Sequence, residues 1–162
     1  MRRAIVSMML VACLSLPAHA QIKQISVAEA KNQAGEISTR FNECWNKRDP
    51  DGITSLFASD AVVALPSGKV LKGTDEVKQF YASFLGGRDK NLTHDAVVDE
   101  VRVSGPAGVW AIGHTTITVE GRVVSKGHWA AAYRVENGRM LVEMLSAGTD
   151  AAPPPPSTTV QK

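Results

Sequence analysis

The 162-residue chain has two cysteines, and only Cys44 lies beyond the N-terminal apolar stretch. A single thiol closes no internal disulfide, so the core must hold the fold even in an oxidising compartment. The sequence contains no His-x-His, no cysteine pair and no glutamate flanked by histidines at helical spacing, so no metal is expected. A glycine-rich phosphate loop is also missing, and no nucleotide or other cofactor is implied. Neither sign of charge is in surplus. Residues 1–20 carry two arginines and no acid, which leaves 16 Lys+Arg against 16 Asp+Glu in the rest. The basic pI of the whole chain therefore comes from its first residues and argues for no nucleic-acid partner. The apolar run Ala4–Leu16 is too short to span a bilayer, so no transmembrane helix is expected.

That run has a different meaning. Arg2 and Arg3 precede it, and Ala18-His19-Ala20 places small residues where a signal peptidase reads. The pattern predicts export to the periplasm or beyond, with cleavage after Ala20. A rival reading takes Leu10-Val11-Ala12-Cys13 as a lipoprotein box with Cys13 lipidated, but the box sits early and apolar residues continue past it. At the other end, residues 150–162 contain Pro153–Pro156 and no apolar pattern, which predicts a disordered tail.

Residues 21–149 read as one domain. Ser26 and Glu29 form a capping box for a helix over 26–48, with Ala30, Ala34, Ile37, Phe41 and Cys44/Trp45 as its apolar stripe. Asp49-Pro50 starts a short second helix whose buried face is Ile53, Leu56 and Phe57. A third begins near Thr74, with Val77, Phe80, Tyr81, Phe84 and Leu85 along one side. Between helices two and three, Ala61–Leu65 and Val70–Lys72 form a small hairpin. Four longer strands follow, at about 94–104, 109–119, 122–135 and 140–147, and Asn137-Gly138 is the strongest hairpin signal. Helices followed by an antiparallel meander predict an α+β fold, with three helices on a curved antiparallel sheet and a cone-shaped cavity between them.

This order of elements, together with NKRDPDGITSLFASDAVV, GTDEVKQFYASFL and GRVVSKGHWAAAYRVENG, resembles the nuclear transport factor 2-like superfamily. Within it, the SnoaL-like and ketosteroid-isomerase-like branch is the nearest match. The resemblance implies a fold more firmly than an activity, because the scaffold hosts isomerases, dehydratases, cyclases, hydrolases and non-enzymes. Ketosteroid isomerases place a tyrosine, a general base and a second acid in the pocket. An ungapped alignment puts Phe41, Leu65 and Ala130 at those positions, and none can move a proton or stabilise an enolate. Asp60 is expected to tether backbone near the second helix.

With Ala130 facing inward, strand alternation brings His128 and Ala132 inward, with Ala111, Gly113, Thr115 and Ile117, and with Leu141, Glu143, Leu145 and Ala147. The expected ligand-binding lining is Phe41, Trp45, Leu65, Phe80, Tyr81, Thr115, His128 and Ala130. Glu143 is the candidate catalytic residue, since an apolar cavity disfavours a carboxylate's charged form; the bland alternative pairs it with Arg134 or Lys126. His94 is expected in an exposed lead-in to its strand, His114 on the outer face, and Cys44 in the core. Three functions remain open. The first is binding of a small apolar ligand. The second is a lyase, isomerase or hydrolase using Glu143. The third is a protein-interaction module. The opposite sheet face, Trp110, Ile112, His114, Trp129, Ala131, Tyr133, Met140, Val142 and Met144, is apolar enough to predict a homodimer, and many proteins of the resembled superfamily pair through this sheet.

Overall fold

The computed structural model describes residues 25–105 and 108–150. The segment expected to direct export, with Cys13, and the proline-rich stretch lie outside the described residues. Helix α1 (Val27–Asn46) starts as the capping box predicts, with the Ser26 hydroxyl accepting from the Glu29 N–H at 3.1 Å. Helix α2 (Pro50–Thr54) has Asp49 as its N-cap, accepting from the Gly52 N–H at 2.8 Å, and proline in its first turn. Strands β1 (Phe57–Ala64) and β2 (Val70–Lys72) precede α3 (Gly73–Gly86). Strands β3 (Leu92–Ser104), β4 (Gly108–Val119), β5 (Arg122–Glu136) and β6 (Arg139–Thr149) complete the chain. Both two-residue turns of the meander have positive φ throughout, 50° and 77° at Glu120-Gly121 and 51° and 78° at Asn137-Gly138. That conformation matches the right-handed twist of the flanking strands.

The architecture is α+β, with the helices on one face of a curved, unclosed sheet, but the sheet is larger than the sequence suggested. The hairpin is not separate. It joins the meander through a parallel pairing of β1 with β6, giving the order β2-β1-β6-β5-β4-β3. Phe57 belongs to β1 rather than to α2, and it pairs with Val142. A parallel pair needs a long crossover, which α3 and the first three strands of the meander supply.

Three β-bulges set which residues face the helices. β3 has an extra residue at Asp99, β5 at Val124 and β6 at Glu143. Each bulge shifts the phase of its strand by one position and adds local twist. An unbulged count from the Glu120-Gly121 turn pairs Ala111 with Ala130; the observed partner of Ala111 is Ala131. β5 is therefore inverted relative to the sequence reading. Trp129, Ala131 and Tyr133 face the helices and are buried, whereas His128 and Ala130 are exposed on the far face. Met140 and Val142, expected outside, are buried inside as well. The inward placement of Ala111, Gly113, Leu145 and Ala147 holds because the unseen bulges and the inverted β5 cancel.

Gly113 shows how tightly the inner face is built. The Trp129 indole lies flat across it, and a Cβ there would meet the ring at 2.5 Å and also collide with the Val97 carbonyl. Gly113→Ala is expected to lower stability by about 1–3 kcal/mol, as overpacking does. Urea unfolding measures it, and a midpoint unchanged from wild type would contradict this packing.

Candidate functional site

The concave side is organised by a polar stripe on α1. Ser38, Asn42 and Asn46 recur every fourth residue and face the backbone of β3, the edge strand. Asn46 Oδ1 accepts from the His94 N–H at 2.8 Å, and its Nδ2 donates to the His94 carbonyl at 3.0 Å. Asn42 repeats the pattern on Ala96, at 2.8 and 3.0 Å, and the Ser38 hydroxyl donates to the Ala96 carbonyl at 2.6 Å. The fit has a simple cause: four helical residues rise about 6 Å, close to the ~6.6 Å of two strand residues. The side chains thus occupy backbone groups that an edge strand would otherwise leave open.

This clamp turns His94 inward, contrary to the exposed position expected for it. Its ring stacks on Trp45 at 5.0 Å and meets Phe41 edge-on at 5.4 Å. Its Nδ1 lies 3.0 Å from Asn42 Oδ1. Because that oxygen already accepts from the Ala96 N–H, it is an acceptor, and Nδ1 must carry the proton. The lone pair is then on Nε2. Burial pushes the pKa of His94 down to about 4, partly opposed by Asp95, so the imidazole is neutral at pH 7.

Tyr81 and Tyr133 are buried on the same side, and burial raises both phenols far above their usual range. Trp45 is buried; Phe41, Phe80 and Leu65 are half-buried against the core. Thr115 faces inward opposite Gly127. The indole N–H of Trp129 is buried with no acceptor among the described residues. Cys44 is in the core as expected, with burial pushing its thiol up.

The remaining candidates lie elsewhere. Ala130 is exposed on the far face; the inward residues flanking it, Trp129 and Ala131, carry no carboxylate. His128 is exposed, with Nδ1 3.3 Å from Asp150. Glu143, the bulge residue of β6, lies 3.4 Å from the Arg134 guanidinium. Arg134 also donates to Asp60 at 2.7 Å and has its Nε 2.8 Å from the Glu136 carboxylate, though off the line of that N–H. Asp60 is thus tied across β6 to β5, and the Arg134 bond, followed by a hydrogen bond from local backbone, holds its carboxyl below the usual range. Glu143 is a paired surface acid rather than a lone acid in a cavity. His114 is on the outer face as expected, paired with Asp99 at 2.8 Å. Among the described residues, no cluster could hold a metal ion, and no helix is long and apolar enough to cross a membrane.

A family model described as the SnoaL-like domain matches residues 38–143, which span α1 to β6. The chain belongs to the SnoaL-like domain family. This SnoaL-like chain is similar to a cystatin-like-fold domain of unknown function from Nostoc punctiforme, at 14% identity and TM-score 0.71, covering 78% of this chain and 81% of that one. It is similar to LinA, at 13% identity and TM-score 0.68 over 76% and 88% of the two chains. It is also similar to a ketosteroid isomerase-like protein from Erwinia carotovora atroseptica, at 15% identity and TM-score 0.61 over 75% and 98%. No curated protein matches its sequence. At these identities the structural likeness concerns the nuclear transport factor 2-like fold.

β3 begins at Leu92, two residues before the start expected from sequence, which brings His94 into the strand. The alternation His94, Ala96, Val98, read with the Ser38/Asn42/Asn46 stripe, was the available signal. A pH dependence follows. The native state holds His94 neutral down to about pH 4, while the unfolded chain protonates it near 6.5. Stability from this group is complete above 6.5 and is lost as pH falls from 6.5 toward 4, by up to about 3 kcal/mol. Asp60 has its pKa lowered below 3.8, so its contribution disappears at more acid pH. Urea unfolding at pH 7 and pH 4.5 should show a stability loss in wild type that is largely absent in His94→Phe; an equal loss in both would refute the assignment.

Proposed function

We propose that this SnoaL-like chain is exported and binds a small, neutral, mostly apolar molecule on the concave side of its sheet. One observation carries the reading: Tyr81, His94 and Tyr133, buried on that side, are uncharged at neutral pH, and burial moves each further from ionising. General acid–base catalysis works best with a group tuned near the working pH, and His94 lies about three units below it. Its Asn42 partner is neutral and lends no charge to an imidazolium. Glu143 is held by Arg134, so the geometry gives proton transfer by that residue no support. The departures from the isomerase pattern at Phe41 and Leu65 point the same way. Native mass spectrometry on protein recovered from the periplasm tests the reading. The expected spectrum has a reproducible adduct of small-molecule mass, retained in Glu143→Gln. A spectrum of unliganded protein alone would favour an interaction module.

The partner proposed beside this ligand is a second copy of the chain, through the convex face. The face differs from the one expected, since Trp129 and Tyr133 are buried inside and contribute nothing to it. Trp110, Ile112 and Met144 remain, 56%, 52% and 53% exposed, around Ala130 and the covered Ala132. Apolar side chains on three neighbouring strands, large on β4 and β6 with alanines of β5 between them, support an interface related by a two-fold axis. Light scattering at micromolar concentration should give twice the chain mass. Trp110→Glu, which would bury an unpaired charge, should give the monomer; a monomeric wild type removes the proposal.

A further inference from the structure

Helix α1 has a third face, apart from the β3 stripe and the inward rings. Gln33, Ile37 and Arg40 recur at steps of four and three and line a cleft of about 370 Å³ at the Asn137-Gly138 end of the sheet. The start of β6 forms its other wall, and Leu56, where α2 gives way to β1, completes the lining. Two hydrogen bonds fix these walls. The Met140 N–H donates to Gln33 Oε1 at 2.9 Å, and the Val142 N–H donates to the Leu56 carbonyl at 2.9 Å. Leu56 and Met140 are buried and Ile37 is half-buried, so the cleft has an apolar floor.

Two guanidiniums border that floor. Arg48, Arg102 and Arg134 bond carbonyls or carboxylates, and Arg88 lies on the Phe84 ring. Arg40 and Arg139 make no hydrogen bond or ion pair with any described residue, and both line this cleft. Glu36 lines it too. It precedes Arg40 by four residues, the spacing that favours a helical ion pair, yet it forms none among the described residues. We propose that the cleft binds a small monocarboxylic acid with an apolar chain, its carboxylate between Arg40 and Arg139 and its chain on Ile37, Leu56 and Met140. The charges select this ligand. Two cations against one acid exclude a cationic ligand, and a guanidinium fork matches the two oxygens of a carboxylate. Glu36 opposes a second negative charge, which disfavours a dianion. The apolar floor gains from a hydrocarbon chain and nothing from an inorganic anion. The site is separate from the concave side, since no aromatic ring lines it.

NMR titration of backbone amides in the full chain at pH 7, with hexanoate, 1-hexanol and inorganic phosphate, tests the proposal. Hexanoate should bind saturably and move the amides of 33–40 and 138–141. It should bind about tenfold more tightly than hexanol, because the difference is a hydrogen bond to a charged group. Phosphate should bind more weakly than hexanoate. Arg40→Gln combined with Arg139→Gln, both exposed positions, should erase the preference over hexanol. Glu36→Gln should act in the opposite direction and tighten hexanoate about two- to fivefold by removing a surface repulsion. No hexanoate binding, equal binding of hexanol, or hexanoate binding unchanged in the double arginine variant overturns the proposal. Phosphate binding as tight as hexanoate overturns the role of the apolar floor. Hexanoate that moves the ring signals of Tyr81 and Tyr133 instead also overturns it, while favouring the concave-side reading.

Discussion

The phase of β5 is the constraint on which the rest of the molecule depends. This strand lies between β4 and β6, pairing with β4 along nearly its whole length and with β6 from Gly127 to Glu136. A shift of one residue would exchange Trp129, Ala131 and Tyr133 for His128, Ala130 and Ala132. The core would then lose an indole and a phenol and receive a histidine and two methyl groups. Bulges on both flanks allow the observed phase: Val124 absorbs the mismatch with β4, and Glu143 absorbs it with β6. The bulges also place side chains. Glu143 leaves the inner face at its bulge and reaches Arg134, which bonds Asp60 across the intervening strand. An acid that would be costly alone in an apolar cavity becomes part of a surface strap over three strands.

The second organising contact is the asparagine clamp on β3. An edge strand invites pairing with another chain, and α1 occupies part of its backbone by presenting Asn42 and Asn46 at the spacing of alternate strand residues. The same contact fixes the tautomer of His94 and seats its ring between Phe41 and Trp45. The polar atoms that hold the edge strand also decide which imidazole nitrogen carries the proton.

Much of the architecture was legible in the chain. Helix starts follow from Ser26 and Asp49, whose side chains bond amides three residues on. Turns follow from Glu120-Gly121 and Asn137-Gly138, where glycine meets the need for positive φ. Helical periodicity puts Phe41, Trp45, Phe80 and Tyr81 on the apolar faces of their helices, and the family resemblance also puts Phe41 in the pocket. The site was less legible. Strand alternation counted from Ala130 without bulges turns Glu143, His128 and Ala130 inward and leaves His94 outside, and the bulges at Val124 and Glu143 undo that count.

The division has a physical reason. Capping, periodicity and turn conformation are local, because each is decided within a few residues by hydrogen bonds and side-chain volume. The sequence by itself therefore determined the helices, most strand limits, the turns and the family. A bulge is not local. Its cost and benefit depend on what the neighbouring strands and the helices above can bury, and Val124 and Glu143 carry no mark that distinguishes them from regular strand residues. Only the tertiary structure decided which face of β5 is inside, that β1 lies parallel to β6, and that aromatic rings from α1, α3 and β3 pack together.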